Sequence, residues 1–213
     1  YIRLGKYIFL FEFKDYLMPT KIISSNSFDE IKKYLDENFV LNQAGQNKGI
    51  NQLHNQITTI GNGRFQFDKF ENRGIKKRNL VVFPIIVTTS YHYQMPGINN
   101  YLSKQFEVKI NSAPTLFEFN KLLPLTMIDF SFLYRQFYRI RKKETDLRHL
   151  ILNYHDQLRL TKNNFFLYNR AFEETLPKKF KSKPPPQKEP EFIDELFKAL
   201  NINPQLTNKY PLP

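Results

Sequence analysis

Two charged residues interrupt an otherwise apolar stretch near the start of the chain. In Tyr7-Ile8-Phe9-Leu10-Phe11-Glu12-Phe13-Lys14-Asp15, every residue from Tyr7 to Phe13 except Glu12 is aromatic or aliphatic, the composition of a buried strand. A strand sends alternate side chains to opposite faces, so Glu12 and Lys14 share one face while Phe11 and Phe13 take the other. A carboxylate and an ammonium then sit side by side at the end of an apolar strand. Each charge there costs several kcal/mol unless it is paired or bound to a metal. The pair reads either as a strand running out into solvent with an exposed ion pair, or as the mark of a functional site.

The elements that must position this pair can be read in order. Tyr1 to Leu4, with Gly5-Lys6, forms a hairpin into the long strand, Gly5 supplying the positive φ of the turn. Ser27-Phe28-Asp29-Glu30 is a capping box that opens a helix over about 28–39. A polar, glycine-bearing loop, Asn42 to Asn47, follows. Lys48-Gly49 opens a second helix with Ile50, Leu53, Ile57 and Ile60 as its apolar face, closed by Gly61. Gln52 points away from the centre of that stripe, beside Lys48 and Gln56, and His54 on the rim reads as structural. A basic, turn-rich connection carrying Arg64, Lys69, Arg73, Lys76, Lys77 and Arg78 leads into Leu80 to Thr89. This run is a central strand in which Pro84 marks a bulge or an edge. Ser90 to Gly97 is a loop and Ile98 to Phe106 a short helix. Leu122 to Phe130 holds an extended segment, and two helical stretches span 130–143 and 145–160. The cations Arg135, Arg139, Arg141, Lys142, Lys143 and Arg148 cluster towards their junction.

Composition limits the chemistry. Among 213 residues there is no cysteine, which excludes disulfides, thiolate zinc sites and cysteine nucleophiles. The four histidines, His54, His92, His149 and His155, lack the spacing of a two-histidine zinc helix. No apolar run approaches the roughly 18 residues of a membrane span, so the cytoplasm is the expected compartment. The core is expected to be built on ring packing, with 21 Phe and 12 Tyr. The net charge of +12 favours anionic partners, nucleic acid first among them.

The order hairpin, long strand ending in Glu-Phe-Lys, helix, helix, strand resembles the PD-(D/E)XK nuclease superfamily. Glu12-Phe13-Lys14 stands as that family's E-x-K, and Gln52, in Lys48-Gly49-Ile50-Asn51-Gln52-Leu53, matches the glutamine that several branches add on the following helix. The resemblance covers residues 1–105. It implies an α/β fold bordering on α+β, a restriction-endonuclease-like mixed sheet flanked by helices. It also implies Glu12 as a ligand of Mg²⁺ (or another divalent cation such as Mn²⁺), Lys14 as the group that orients the attacking water, and Gln52 as an accessory polar residue. The family's other metal ligand, an aspartate on the preceding strand, has no counterpart, since residues 1–11 hold no Asp or Glu. With Tyr1 in place of a methionine start, the expectation is a truncated view whose aspartate lies upstream, or else a degenerate site.

The residue types suit phosphodiester hydrolysis, which needs an activated water and relief of charge on the scissile phosphate. Lys48, Arg73, Lys76, Lys77, Arg139, Arg141 and Lys142 are the expected grips on the phosphate backbone, giving salt-sensitive binding. Tyr91 and His92, which follow the last core strand, read as ordinary loop packing first and as rings that stack on a base second. The expected partner is nucleic acid, DNA before RNA, with no membrane and with a protein partner or a second copy of the chain left open. The rival reading is a nuclease-like scaffold, catalytically degenerate, that binds nucleic acid or a protein. Residues 1–106 are expected to form the nuclease-like core, 107–176 a mainly helical extension packed on it, 177–190 a Pro/Lys-rich linker, and 191–213 a terminal helix and tail.

Overall fold

The computed structural model describes residues 1–40, 48–68, 74–112, 118–141 and 145–177. The fold is built around β3 (Val81–Thr88), buried at every position. A strand covered on both faces has no reason to alternate polar with apolar, which accounts for its unbroken apolar run. β2 (Tyr7–Lys14) pairs with it in parallel, Tyr7 opposite Val81 and Lys14 opposite Thr88. β1 (Ile2–Leu4) pairs antiparallel with β2 through a turn in which Gly5 adopts a φ of +60°, a value that glycine reaches without steric cost. On the other side of β3 lie β4 (Lys121–Leu122) and β5 (Thr126–Asp129), both parallel to it. The architecture is therefore the expected mixed sheet flanked by helices, α/β bordering on α+β. The 107–176 stretch is not only helical, because it supplies two of the five strands.

Pro84 is accommodated by a bulge. Val82 pairs with Leu122 and Ile85 with Thr126, so the β4–β5 side carries one more residue than β3 between these two pairings. Val81 N–H donates towards β2, to the Lys6 carbonyl, whereas the Val82 carbonyl accepts from Leu123 on the other side. By alternation, the N–H that Pro84 lacks would point at the break between β4 and β5, where there is no ladder bond to lose.

The two faces bury separate cores. On one, Ile8, Leu10, Val82, Ile86 and Met127 meet the helices that follow β2. After a single helical turn, α1 (Thr20–Ile23), these are α2 (Phe28–Leu35), α3 (Gly49–Gly61) and α4 (Ile98–Asn111). Ile50, Leu53, Ile57 and Ile60, the stripe read from the α3 sequence, are all fully buried. On the other face, Phe9, Phe83, Ile85, Val87 and Ile128 pack under α5 (Phe130–Arg141) and α6 (Leu147–Leu160). Ring packing contributes directly there, with Phe9 and Phe83 stacked at 4.7 Å between centroids.

Several ends differ from expectation. The Ser27 hydroxyl caps α2 by accepting from Glu30 N–H at 3.4 Å, but α-geometry stops at Leu35 and a wider π-turn, Asp36–Val40, carries the chain on. Asn38 Nδ2 donates to the Tyr34 carbonyl at 2.8 Å, and that side-chain bond competes with the ordinary backbone ladder. α3 includes Gly61, and the left-handed residue after it is Gly63. α4 runs past Phe106 to Asn111. The Asn42 to Asn47 loop, the linker from residue 178 onward and the helix expected after residue 190 lie outside the described residues. Among the described residues, no helix is long and apolar enough to cross a membrane.

One core group makes stability depend on pH. His155 on α6 places Nε2 2.8 Å from the Thr126 hydroxyl. Burial, followed by the nearby Lys121 charge, pushes its pKa down to about 4, against an opposing pull from Asp156. The folded state therefore favours neutral His155, and its stabilisation is complete above the unfolded value near 6.5 and lost as pH falls towards 4. In urea denaturation between pH 7.5 and pH 4, His155→Gln should lose about 3 kcal/mol less stability than the unmodified protein. Parallel losses in the two proteins would contradict this assignment.

Candidate functional site

Glu12, Lys14 and Gln52 come together. Lys14 Nζ donates to Glu12 Oε1 at 2.7 Å and to Gln52 Oε1 at 2.9 Å, across 38 residues of sequence. The alternation along β2 sets this up: Ile8 and Leu10 pack into the core beneath α3, and Glu12 and Lys14 continue the same face to the carboxyl end of the strand. The exposed-pair reading is corrected here, because the Lys14 and Glu12 side chains retain only 7% and 14% of their exposure. α3 seals Lys14 from one side, which removes it from water.

Gly49 is what lets α3 approach so closely. A Cβ there would meet Lys14 Cε at 3.2 Å, the Phe39 carbonyl oxygen at 3.3 Å and Ile86 Cδ1 at 3.4 Å. The absent side chain brings the first turn of α3 against the lysine stem and carries Gln52, one turn on, to the ammonium. The positive end of a 13-residue helix thus packs against the Lys14 stem, where it opposes the ammonium and favours an anion bound beside it.

Counting donors and acceptors shows what remains for a ligand. An ammonium has three donors, and two of Lys14's are taken by Glu12 and Gln52. The third has no protein partner among the described residues. Glu12 accepts through Oε1, which leaves Oε2 for a water, a cation or a substrate atom. One N–H and one carboxylate oxygen, held by a charge pair and braced by an amide, can orient a water and answer charge developing on an adjacent oxygen.

The sheet adds two residues that the sequence reading did not single out. Thr88 is in register with Lys14, and Asp129 with Thr88, so all three share a face at the carboxyl ends of parallel strands, the usual location of ligand sites in such sheets. Thr88 is fully buried and its hydroxyl has no hydrogen-bond partner among the described residues. Asp129 Oδ1 accepts from Ser131 N–H at 2.7 Å as α5 begins. The signal for Asp129 was its place just ahead of a helix, a capping position. The pairing of β5 with β3 that brings it into line with Lys14 is long-range and left no local mark.

Among the described residues, the expected backbone grips do not converge on the pair, with one exception. Lys48 precedes α3 and its ammonium lies 5.9 Å from the centroid of the Tyr16 ring, beside the site. Lys76 and Lys77 lie instead where β3 begins, a full strand length, roughly 25 Å, from Lys14. Lys77 Nζ is committed to the Gly61 carbonyl at the far end of α3, at 2.8 Å. Arg139 belongs to α5, on the opposite face of the sheet. Of the cations expected beside it, Arg135 pairs with Glu173 at 2.5 Å, and Arg148 pairs with Asp146 at 2.7 Å and covers the Tyr7 ring. Tyr7 is at the far end of β2 from Lys14. Arg73, Lys142 and the Arg141 side chain lie outside the described residues. The periodicity of each element was readable, but the antiparallel course of α3 against the strands, which carries Lys77 away from Lys14, was not.

Comparison with the models of known families, with curated proteins and with solved structures found no match to the chain.

The covered pair has an energetic consequence. Lys14→Met should cost about 3 kcal/mol in urea denaturation, because Glu12 is left charged and without its partner. The double variant Glu12→Gln/Lys14→Met should recover most of that loss. Single-variant costs below about 1 kcal/mol would mean that the pair behaves as a solvated surface bridge.

Proposed function

We propose that the chain is a metal-dependent nuclease of the PD-(D/E)XK type, acting on DNA in preference to RNA. The observation that carries this reading is the convergence of Glu12, Lys14 and Gln52, in which Lys14 Nζ bridges the two oxygen acceptors at 2.7 and 2.9 Å. These are the three residues that the resemblance singles out.

A divalent cation of the Mg²⁺ class takes oxygen ligands and keeps several waters, and Glu12 Oε2 suits one such position. No group of three or more acidic or histidine residues able to hold a metal is found among the described residues, so Glu12 alone is an incomplete protein shell. When bound, such a cation supplies Lewis acidity towards the scissile phosphate and a more acidic water. Lys14 directs its remaining N–H at the attacking water, Gln52 holds the ammonium in place, and the N-terminal end of α3 favours the phosphate.

A second reading, a catalytically degenerate scaffold that binds nucleic acid or a protein, is favoured by one observation: Glu12 and Lys14 satisfy each other and are mostly covered.

The deciding test is cleavage of DNA by the full-length protein with and without Mg²⁺. Lys14→Ala and Glu12→Gln should each reduce cleavage by about a hundredfold or more, with circular dichroism and DNA binding retained. Glu12→Gln keeps an acceptor for Lys14 and so guards against a trivial loss of folding. Cleavage by both variants within a factor of about two of the parent would rule out the nuclease reading and leave the scaffold.

A further inference from the structure

We propose that the rim beside Lys14 is a stacking platform for unpaired nucleobases, so that the nucleic acid it holds is single-stranded or frayed rather than an uninterrupted duplex. This rests on the nuclease reading above and names its substrate class.

Two tyrosines emerge from adjacent strand ends. Tyr16 follows Lys14 and is 39% exposed; Tyr91 follows Thr88 and is 78% exposed. Lys14 and Thr88 are paired in register, roughly 5 Å apart between strands. Just beyond them the Thr89 hydroxyl donates to Asp15 Oδ1 at 2.7 Å, tying the two exits together. The short 3₁₀ turn Tyr91–Gln94 folds back over the same face as α3, because its Tyr93 is buried in that core against Phe39, at 5.1 Å between ring centroids. Tyr16 lies near enough to Tyr93 to contribute, after burial and Tyr34, to raising its pKa. Both exposed rings therefore border the Glu12–Lys14 end of the sheet.

The chain on either side of each ring is anchored. Tyr16 sits between buried Lys14 and buried Met18, and Tyr91 between buried Ser90 and buried Tyr93. Tyr34 Oη donates to the Leu17 carbonyl at 3.0 Å, pinning the segment that carries Tyr16. A chain anchored in this way gives up little backbone freedom when something stacks on the rings it carries. Lys48 Nζ, 5.9 Å from the Tyr16 centroid, adds a cation for the backbone of the same strand. Aromatic faces next to a basic side chain are how sequence-tolerant single-strand binders hold successive bases. A continuous duplex offers no free base face to such rings, whereas an unpaired strand offers one at each nucleotide.

The test is fluorescence anisotropy with the full chain in EDTA, which prevents cleavage. The probes are a labelled oligothymidylate of about 20 nucleotides and a duplex of the same length. The single strand should bind about tenfold or more tightly than the duplex. The double variant Tyr16→Ala/Tyr91→Ala should weaken single-strand binding by about tenfold or more and leave duplex binding within about a factor of two, while Tyr16→Phe/Tyr91→Phe stays near the parent. Equal affinities, tighter duplex binding, or an unchanged double variant would overturn the platform; the nuclease reading would still stand if Lys14-dependent cleavage of duplex were seen. Binding of neither probe would overturn both.

Discussion

The site depends on one ammonium held between two oxygens. Lys14 Nζ bridges Glu12 and Gln52, and this bridge ties the last turn of β2 to the first turn of α3. A charge pair so well covered is expensive to place, because several kcal/mol of hydration are given up by each ion. A Met at position 14 and a Leu at position 12 would extend the apolar strand at no such cost. The arrangement is tolerable because the pair is tight and the amide braces the ammonium. Gly49 makes the closeness possible, and the buried α3 stripe from Ile50 to Ile60 anchors the helix in place.

The same geometry divides the surface. α3 begins beside Lys14 and ends at Gly61, whose carbonyl is held by Lys77, so the helix spans the sheet from the charged pair to the basic connection. Lys76 and Lys77 at the start of β3, and Arg148 over Tyr7, occupy the other end. Among the described residues, the cations expected as grips therefore lie mostly away from the pair, and they contribute a general attraction for polyanions. What frames the pair is more local: Lys48, two exposed tyrosines, and the row formed by Lys14, Thr88 and Asp129.

What the sequence made legible was mostly periodic. The alternation that sets Glu12 and Lys14 on one face, the α3 stripe, the capping Ser27 and the positive-φ Gly5 are each encoded within a few residues and each appears in the structure. Pro84 was readable as a bulge because a missing N–H must be accommodated somewhere. Long-range relations were not legible. Nothing near Asp129 signals that β5 pairs with β3, and nothing in Lys76, Lys77 and Arg78 shows that they lie a strand length from Lys14. The burial of the Glu12–Lys14 pair also escaped, because it comes from a helix more than thirty residues away. Charge counts along the chain suggest a partner; they do not say which end of a sheet it meets.

The central claim is that Glu12 and Lys14 form a site open to a cation rather than a closed structural bridge. The most direct measurement is paramagnetic broadening of backbone amides on titration with Mn²⁺, using the full-length protein. The amides of Glu12 to Lys14 and of Gly49 to Gln52 should broaden first, and Glu12→Gln should abolish that selectivity while leaving the rest of the spectrum unchanged. Broadening that spares these amides and follows the acidic residues of α2 and the π-turn after it, Asp29, Glu30, Asp36 and Glu37, would contradict the account.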